Sequence, residues 1–170
     1  GFFVGATPDN ASELDELEVL PGCVGVKVFM GSSTGSLLVA DDEALAAVFA
    51  HGVRRVAVHA EDEARLIERK PIAAAAADPR AHPEWRDAET ALRATWRAVA
   101  LARRFGRRVH VLHVTTKEEI DFLAQNKDVA SVEVMVMWDQ SILHVAHLTP
   151  PRSFYVGEDM CDYFVPTEKL

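Results

Sequence analysis

"GCVGVKVFMGSSTG", spanning Gly22–Gly35, is the stretch that decides the fold class. A run of valines that ends in a glycine- and serine-rich turn predicts a buried β-strand. Lys27 lies in the middle of this run, and burying a charged amine is costly unless the amine finds a partner or loses its charge. Lys27 therefore either reaches solvent from an edge strand or has a chemical role.

Strand-like apolar runs recur along the chain and alternate with helical patterns. The runs are continuous rather than alternating, which is typical of parallel strands covered on both faces. One helix is capped near Asp41 and ends at Gly52, and a longer one ends at Gly106. A third opens with the capping box Thr116–Glu119. Repeated strand–helix units predict a parallel α/β fold. The predicted strands are Phe2–Ala6, Val24–Met30, Val53–His59, Arg108–Val114 and Val129–Val136.

The segment between His59 and His113 is too long for one strand–helix–strand unit. The surplus, "KPIAAAAADPRAHPEWRDAET" at Lys70–Thr90, predicts a long loop after the strand that ends at His59. Loops at the carboxyl ends of parallel strands build the active sites of α/β proteins. We therefore expect this loop to border a site.

Composition narrows the class of protein. The net charge of −8 and the sequence pI near 5.3 argue against nucleic acid or an anionic membrane as a partner. No apolar run approaches the roughly 20 residues of a membrane helix, no secretory signal is visible, and two cysteines are too few for a disulfide framework. These features predict a cytoplasmic globular protein. Because the chain opens on the strand-like "GFFVGAT", we expect it to start within a domain.

Three predicted strands each carry one ionisable residue in an apolar setting: Lys27, His59 and His113. Strand alternation places Gly25 beside Lys27 and Ala57 beside His59 on one face. Such small neighbours leave room for a site. A single buried histidine is more often a core residue than a ligand, so the case rests on the three occurring together.

Alternation also places His113 on the face of Val109 and Val111, and His110 on the opposite face. The acidic run Glu61–Glu63 predicts a solvated first turn of a helix, favoured by the helix dipole. The remaining histidines are expected at the surface or in loops; they are His51, His82, His144 and His147.

Several long segments resemble dihydroorotase, of the amidohydrolase superfamily. The resemblance covers Gly1–Val134 in the family's order. It is carried by "FFVGATPDNASEL", "LPGCVGVKVFMGSSTGSLLVADDEAL", "RRVAVHAEDEARLIERK", "HPEWRDAETAL" and "GRRVHVLHVTTKEEIDFLAQNKDVASVEV".

The resemblance implies a (β/α)₈ TIM barrel with a zinc centre at the carboxyl ends of its strands. By this resemblance Lys27, carboxylated on its ε-nitrogen by CO2 or bicarbonate, bridges two Zn²⁺ ions, and His59 and His113 are zinc ligands. These three residues are the predicted catalytic and metal-binding set. The implied reaction is the reversible conversion of N-carbamoyl-L-aspartate to L-dihydroorotate in pyrimidine biosynthesis.

The sequence also departs from the family. The His-x-His pair of the first strand and the aspartate of the eighth are absent, and the tail from Met135 is unlike the family. A full barrel needs about 250 residues. We therefore predict a partial barrel, strands three to seven, in residues 1–134 and a divergent segment in 135–170, and we expect the 170-residue chain alone to be inactive.

Two alternatives stay open. A hydantoinase, dihydropyrimidinase or allantoinase would share the lysine and the histidines. A truncated, non-catalytic homologue could instead serve as a structural partner of aspartate transcarbamoylase. For the enzyme we expect a small-molecule substrate and a homo-oligomer.

Overall fold

The computed structural model describes residues 1–33, 37–76, 78–136, 155–158 and 161–164. The described residues do not include the turn residues Thr34, Gly35 and Ser36, which follow the strand of Lys27. They also leave out most of the segment 135–170, with His144 and His147. Within the described ranges, no helix combines the length and the apolar character needed to span a membrane.

The described strands form one sheet in which strand order follows chain order. Neighbours from β1 to β6 are parallel, and β7 pairs antiparallel with β6. The five predicted strands are confirmed, each with slightly different ends, and the parallel α/β class is confirmed with them. The sheet remains open, as expected for part of a barrel. The strands are β1 Phe2–Gly5, β2 Cys23–Phe29, β3 Val56–His59, β4 Val109–Val114, β5 Ala130–Val136, β6 Tyr155–Glu158 and β7 Cys161–Phe164.

Helices connect the strands from β1 to β5, and two of them begin at the predicted caps. The Asp41 carboxylate accepts a hydrogen bond from the Ala44 amide, and Thr116 accepts one from the Glu119 amide. Gly106 ends the longest helix with a left-handed φ of 67°, a conformation that glycine adopts at little cost. The helices are α1 Leu14–Leu17, α2 Asp42–Ala50, α3 Glu63–Ala76, α4 His82–Trp85, α5 Ala88–Phe105 and α6 Lys117–Ala124.

The long loop predicted over Lys70–Thr90 is wrong. Helix α3 continues through Pro71 to Ala76, and a 3₁₀ turn at Pro79–Ala81 leads into α4. Proline removes one helical hydrogen bond, but the alanines after it are the strongest helix formers, so the helix persists. The segment nevertheless borders the site, because α4 and the start of α5 fold back over the end of β3.

The core lies between the sheet and the helices. Val26 of β2, Val56 of β3 and Val109 of β4 are register partners and are fully buried. They pack in one cluster with Phe49 of α2 and Ala98 of α5. The other face of the sheet is thereby free to carry the polar side chains.

Candidate metal centre

Strand β4 contains an irregularity just before its carboxyl end. Val111 pairs with Val132 and Val114 pairs with Val134, so β4 holds one more residue than β5 over this interval. His113 lies at the irregularity with φ of 41°, a left-handed conformation that a side chain makes unfavourable. Val111 and Val114 are consequently both buried in the core, and His113 is turned to the other face.

The predicted alternation along β4 is therefore wrong. His113 does not share a face with Val111, because the extra residue resets the period of two. The alternation predicts that His110 lies on the face opposite the site. His110 instead lies on the face of Lys27, because it is the register partner of Ala57, which in turn pairs with Lys27. Its imidazole Nδ1 lies 2.9 Å from the Ser131 hydroxyl, away from the pair formed by His59 and His113.

His59 and His113 meet at the carboxyl end of the sheet. The Nδ1 atom of His59 lies 2.9 Å from Nε2 of His113, and the two rings are 4.8 Å apart in an edge-on arrangement. His59 Nε2 is 2.7 Å from a carboxylate oxygen of Glu61. An ionised carboxylate only accepts hydrogen bonds, so Nε2 of His59 carries the proton and the lone pair of Nδ1 faces His113. Burial, with the nearby charge of Lys27, lowers the pKa of His113 and favours a neutral imidazole.

Lys27 lies on the same face of the sheet but is not in contact with this pair. Its Nζ donates to the Val28 carbonyl at 2.9 Å and stands 3.6 Å over the centroid of the Phe29 ring. The Phe29 ring is in turn 5.7 Å from the ring of His59. Burial lowers the pKa of Lys27 to about 8, so an appreciable fraction of its amine is uncharged near neutral pH. Nitrogen in that form is nucleophilic toward CO2.

A pocket of about 280 Å³ opens beside the two histidines. Glu61 lies in its wall, so the prediction of a solvated carboxylate there is wrong: the side chain is only 15% exposed and pairs with Arg86. Burial alone would raise the pKa of Glu61, but the hydrogen bond from His59 and the charge of Arg86 lower it overall. His82 is exposed, as predicted, and lies at the wall of the pocket. The remaining lining residues are Ala60, Asp87, Ala91, Leu112, Thr115, Thr116 and Glu119.

Two further carboxyl groups of the pocket wall are fixed by helix caps. Asp87 caps α5 through the Thr90 amide at 3.0 Å, and the hydrogen bond from Arg65 holds the pKa of Asp87 well below its usual range. Glu119 is buried and accepts hydrogen bonds from the hydroxyls of Thr95 at 2.7 Å and Thr116 at 2.8 Å. Burial raises the pKa of Glu119. Two carboxyl groups of the pocket wall are thus held in fixed positions by their hydrogen-bond partners.

The donor atoms present suit part of a zinc centre. Zinc binds imidazole nitrogen at about 2.0–2.1 Å, so two such ligands of one tetrahedral ion lie roughly 3.3 Å apart. The separation of 2.9 Å between His59 Nδ1 and His113 Nε2 is close to that value. Within the part of the chain that the structure describes, no three side chains among histidine, cysteine, aspartate and glutamate converge on one position. The pair therefore needs further ligands to complete a centre.

Solved structures of cyclic-amide hydrolases share this fold. The L-hydantoinase (dihydropyrimidinase) of Arthrobacter aurescens matches 76% of this chain with a TM-score of 0.68 and 26% identity. The dihydropyrimidinase of Brevibacillus agri NCHU1002 matches 78% with a TM-score of 0.66 and 27% identity. The D-hydantoinase (dihydropyrimidinase) of a Thermus species matches 79% with a TM-score of 0.68, but at 17% identity that likeness is one of fold. No protein-family model matches the chain, and neither does any curated protein.

The matched region is a part of each of these enzymes. The chain spans 31%, 30% and 31% of their respective lengths. The α/β architecture with its parallel sheet, open here, is thus shared with the barrels of hydantoinases and dihydropyrimidinases. The substrates of those enzymes therefore support a proposal for this chain and do not establish its activity.

Proposed function

We propose that this chain is the central part of a barrel that hydrolyses cyclic amides. The observation that carries the proposal is the likeness to hydantoinases and dihydropyrimidinases over more than three quarters of the chain. The two histidines that meet beside a pocket at the carboxyl ends of the strands support it, because barrel enzymes place their active sites at that end.

In this proposal the substrate is a cyclic amide with the ring of a hydantoin or a dihydropyrimidine. The two named neighbours with 26% and 27% identity are enzymes of that kind, and they favour it over the dihydroorotase predicted from the sequence segments. The two candidates share one reaction type, the opening of a ring amide by water. They differ in the size of the ring for a hydantoin, and in the ring carboxylate of dihydroorotate for a dihydropyrimidine. Dihydroorotate therefore stays in the test as the narrower candidate.

The proposed centre uses the residues predicted from the sequence. His59 and His113 would hold zinc through Nδ1 and Nε2, the atoms that face each other, and carboxylated Lys27 would add an oxygen ligand. Carboxylation joins the uncharged Lys27 amine to CO2 and releases one proton, which leaves an anionic oxygen ligand. The bound metal supplies an activated water and polarises the ring carbonyl.

The chain's own side chains bind and orient the ring. The pocket, at about 280 Å³, is slightly smaller than the roughly 300–1,000 Å³ of pockets for drug-sized ligands, as suits a single small ring. Thr115 lies on its wall, as does the buried carboxyl of Glu119, which the hydroxyls of Thr95 and Thr116 hold in place. The homo-oligomer, the cytoplasmic location and the association with aspartate transcarbamoylase stay predictions.

The test is a substrate panel with the native polypeptide that carries this chain. We expect ring opening of hydantoin or dihydrouracil in the presence of Zn²⁺ and bicarbonate, with bound zinc measured by mass spectrometry. His59→Asn and His113→Asn should bring activity to background and reduce bound zinc. The matched control His51→Asn, at an exposed histidine paired with Asp15, should change neither. Turnover of dihydroorotate alone would select the narrower reading, and absence of both zinc and turnover would overturn the proposal.

A further inference from the structure

His59 is restrained on both ring nitrogens, and the two restraints differ in kind. Nδ1 faces the second histidine, whereas Nε2 is bonded to the Glu61 carboxylate at 2.7 Å. Glu61 follows His59 by two residues, just beyond the end of β3, so its carboxylate reaches back over the strand end. The His59 and Glu61 side chains are only 14% and 15% exposed, so water competes weakly for this contact.

Glu61 is in turn held by Arg86, from the segment between α4 and α5. The Oε2 atom that accepts from His59 also forms the ion pair with Arg86. The guanidinium of Arg86 lies 4.5 Å from the centre of the Trp85 ring, and the Trp85 indole N–H donates to the Leu66 carbonyl at 2.8 Å. Arg86 is thus fixed from outside the pocket, and Glu61 has little freedom to turn away from His59.

The same arginine reaches the loop that follows the strand of Lys27. A second nitrogen of Arg86 donates to the Ser32 carbonyl at 2.8 Å. The Ser32 amide donates to the Glu63 carboxylate at 2.5 Å. Glu63 therefore binds this loop directly, and Glu61 binds it through Arg86. Gly31 allows the close approach, because a Cβ atom there would lie 2.7 Å from Cβ of Glu61.

We propose that Glu61 is a positioning residue for His59, and that Arg86 holds it in place and links it to the loop after β2. Accepting the Nε2–H proton fixes the tautomer and the ring orientation of His59, so that Nδ1 points to the centre. A carboxylate bonded to a ligand imidazole also raises its basicity, and loss of such a group costs metal proteins about 10–100-fold in affinity. The part of this inference that concerns zinc affinity rests on the proposed function. The part that concerns the tautomer of His59 does not.

Two measurements test it on the native polypeptide that carries this chain, first metal-free and then titrated with zinc. Long-range ¹H–¹⁵N spectra identify which nitrogen of His59 carries the proton. Calorimetric titration with Zn²⁺ gives the affinity. The variants are Glu61→Ala, Glu61→Gln, which retains an accepting oxygen, and Arg86→Met. Glu68→Ala is the matched control, since it removes an exposed carboxylate from the helix that follows Glu61.

We expect His59 protonated on Nε2 in the wild type, Glu61→Gln and the Glu68→Ala control, and a mixture of tautomers in Glu61→Ala. Zinc affinity should fall about 10–100-fold in Glu61→Ala, less in Arg86→Met, and recover in part in Glu61→Gln. An unchanged tautomer of His59 in Glu61→Ala would overturn the inference. If Glu61→Ala does not fold, a wild-type His59 that is protonated on Nδ1 would overturn it. If the wild type binds no zinc, the proposed function fails while the tautomer still decides the role of Glu61.

Discussion

His113 meets His59 at 2.9 Å only because strand β4 carries one residue more than its neighbour. Without it, regular alternation would put His113 on the core face with Val109 and Val111. The cost is a histidine at φ of 41°, a conformation that is unfavourable for any residue with a Cβ atom. Backbone strain of this kind concentrates at functional sites, where the geometry it produces is needed.

The strain at His113 predicts a reversal of the usual order of glycine and alanine. In an ordinary strand, glycine is less stable than alanine by roughly 0.5–1 kcal/mol. At His113 the left-handed backbone penalises alanine by about 1 kcal/mol or more, so His113→Gly should be more stable to urea than His113→Ala. The control pair at His110, on the same strand and without a positive φ, should show the usual order. Equal stability of the two His113 variants would contradict the strain.

The strands and helix caps could be predicted from the sequence, because each depends on local chemistry. Continuous valine runs indicate buried parallel strands, and Asp41 or Thr116 can cap a helix without help from distant residues. The irregularity in β4 could not be predicted, since "VHVLHV" contains no glycine to mark it. The prediction for Glu61 is wrong for a similar reason: within "AEDE" it resembles a helix start, and only Arg86, 25 residues away, makes it a partner of His59.

Gly31 should tolerate no side chain, because the loops after β2 and β3 approach each other there. A Cβ atom at this position would lie 2.7 Å from Glu61 Cβ and 2.8 Å from the Glu61 carbonyl oxygen. Backbone cannot yield as a flexible side chain does, so Gly31→Ala should cost about 1–3 kcal/mol in the free energy of unfolding. Gly5→Ala is the control at the end of the adjacent strand, where the Cβ would meet only the flexible Leu37 side chain. A Gly31→Ala variant as stable as Gly5→Ala would show that the loops can separate freely.

His110 should make stability depend on pH between about 7.5 and 4. Burial, with a smaller contribution from the Arg55 charge, lowers the pKa of His110 to about 4. The unfolded chain takes up this proton near pH 6.5 and the folded chain only near pH 4, so the contribution of His110 to stability is complete above about pH 7.5 and is lost as the pH falls toward 4. His110 should account for a loss of about 2 kcal/mol by pH 5. Urea unfolding at several pH values should show that the free energy of unfolding of His110→Gln falls by about 2 kcal/mol less than that of the wild type by pH 5. The same fall in both proteins would contradict the assignment to His110.

At the amino ends of the strands, Arg107 and Glu18 form an ion pair with side chains only 2% exposed. Removing one partner leaves a buried charge without its counter-ion, so Arg107→Ala should cost about 3–5 kcal/mol in the free energy of unfolding, measured by urea denaturation. The control Arg103→Ala breaks an exposed pair with Asp128 and should cost less than about 1 kcal/mol. The partners at risk are the carbonyls of Val48, His51 and Arg54, which Arg107 binds, and the amides of Val53 and Arg54, which Glu18 binds.

A double variant separates the two contributions to that loss. Glu18→Gln with Arg107→Met removes both charges and keeps side chains of similar size, so it should recover part of the stability that Arg107→Ala loses. Recovery would show that the unpaired Glu18 carboxylate is the main penalty. If the double variant is no more stable than Arg107→Ala, the hydrogen bonds from Arg107 to the three carbonyls carry the stability instead. A cost below about 1 kcal/mol for Arg107→Ala itself would mean that the pair contributes little to holding the strand ends together.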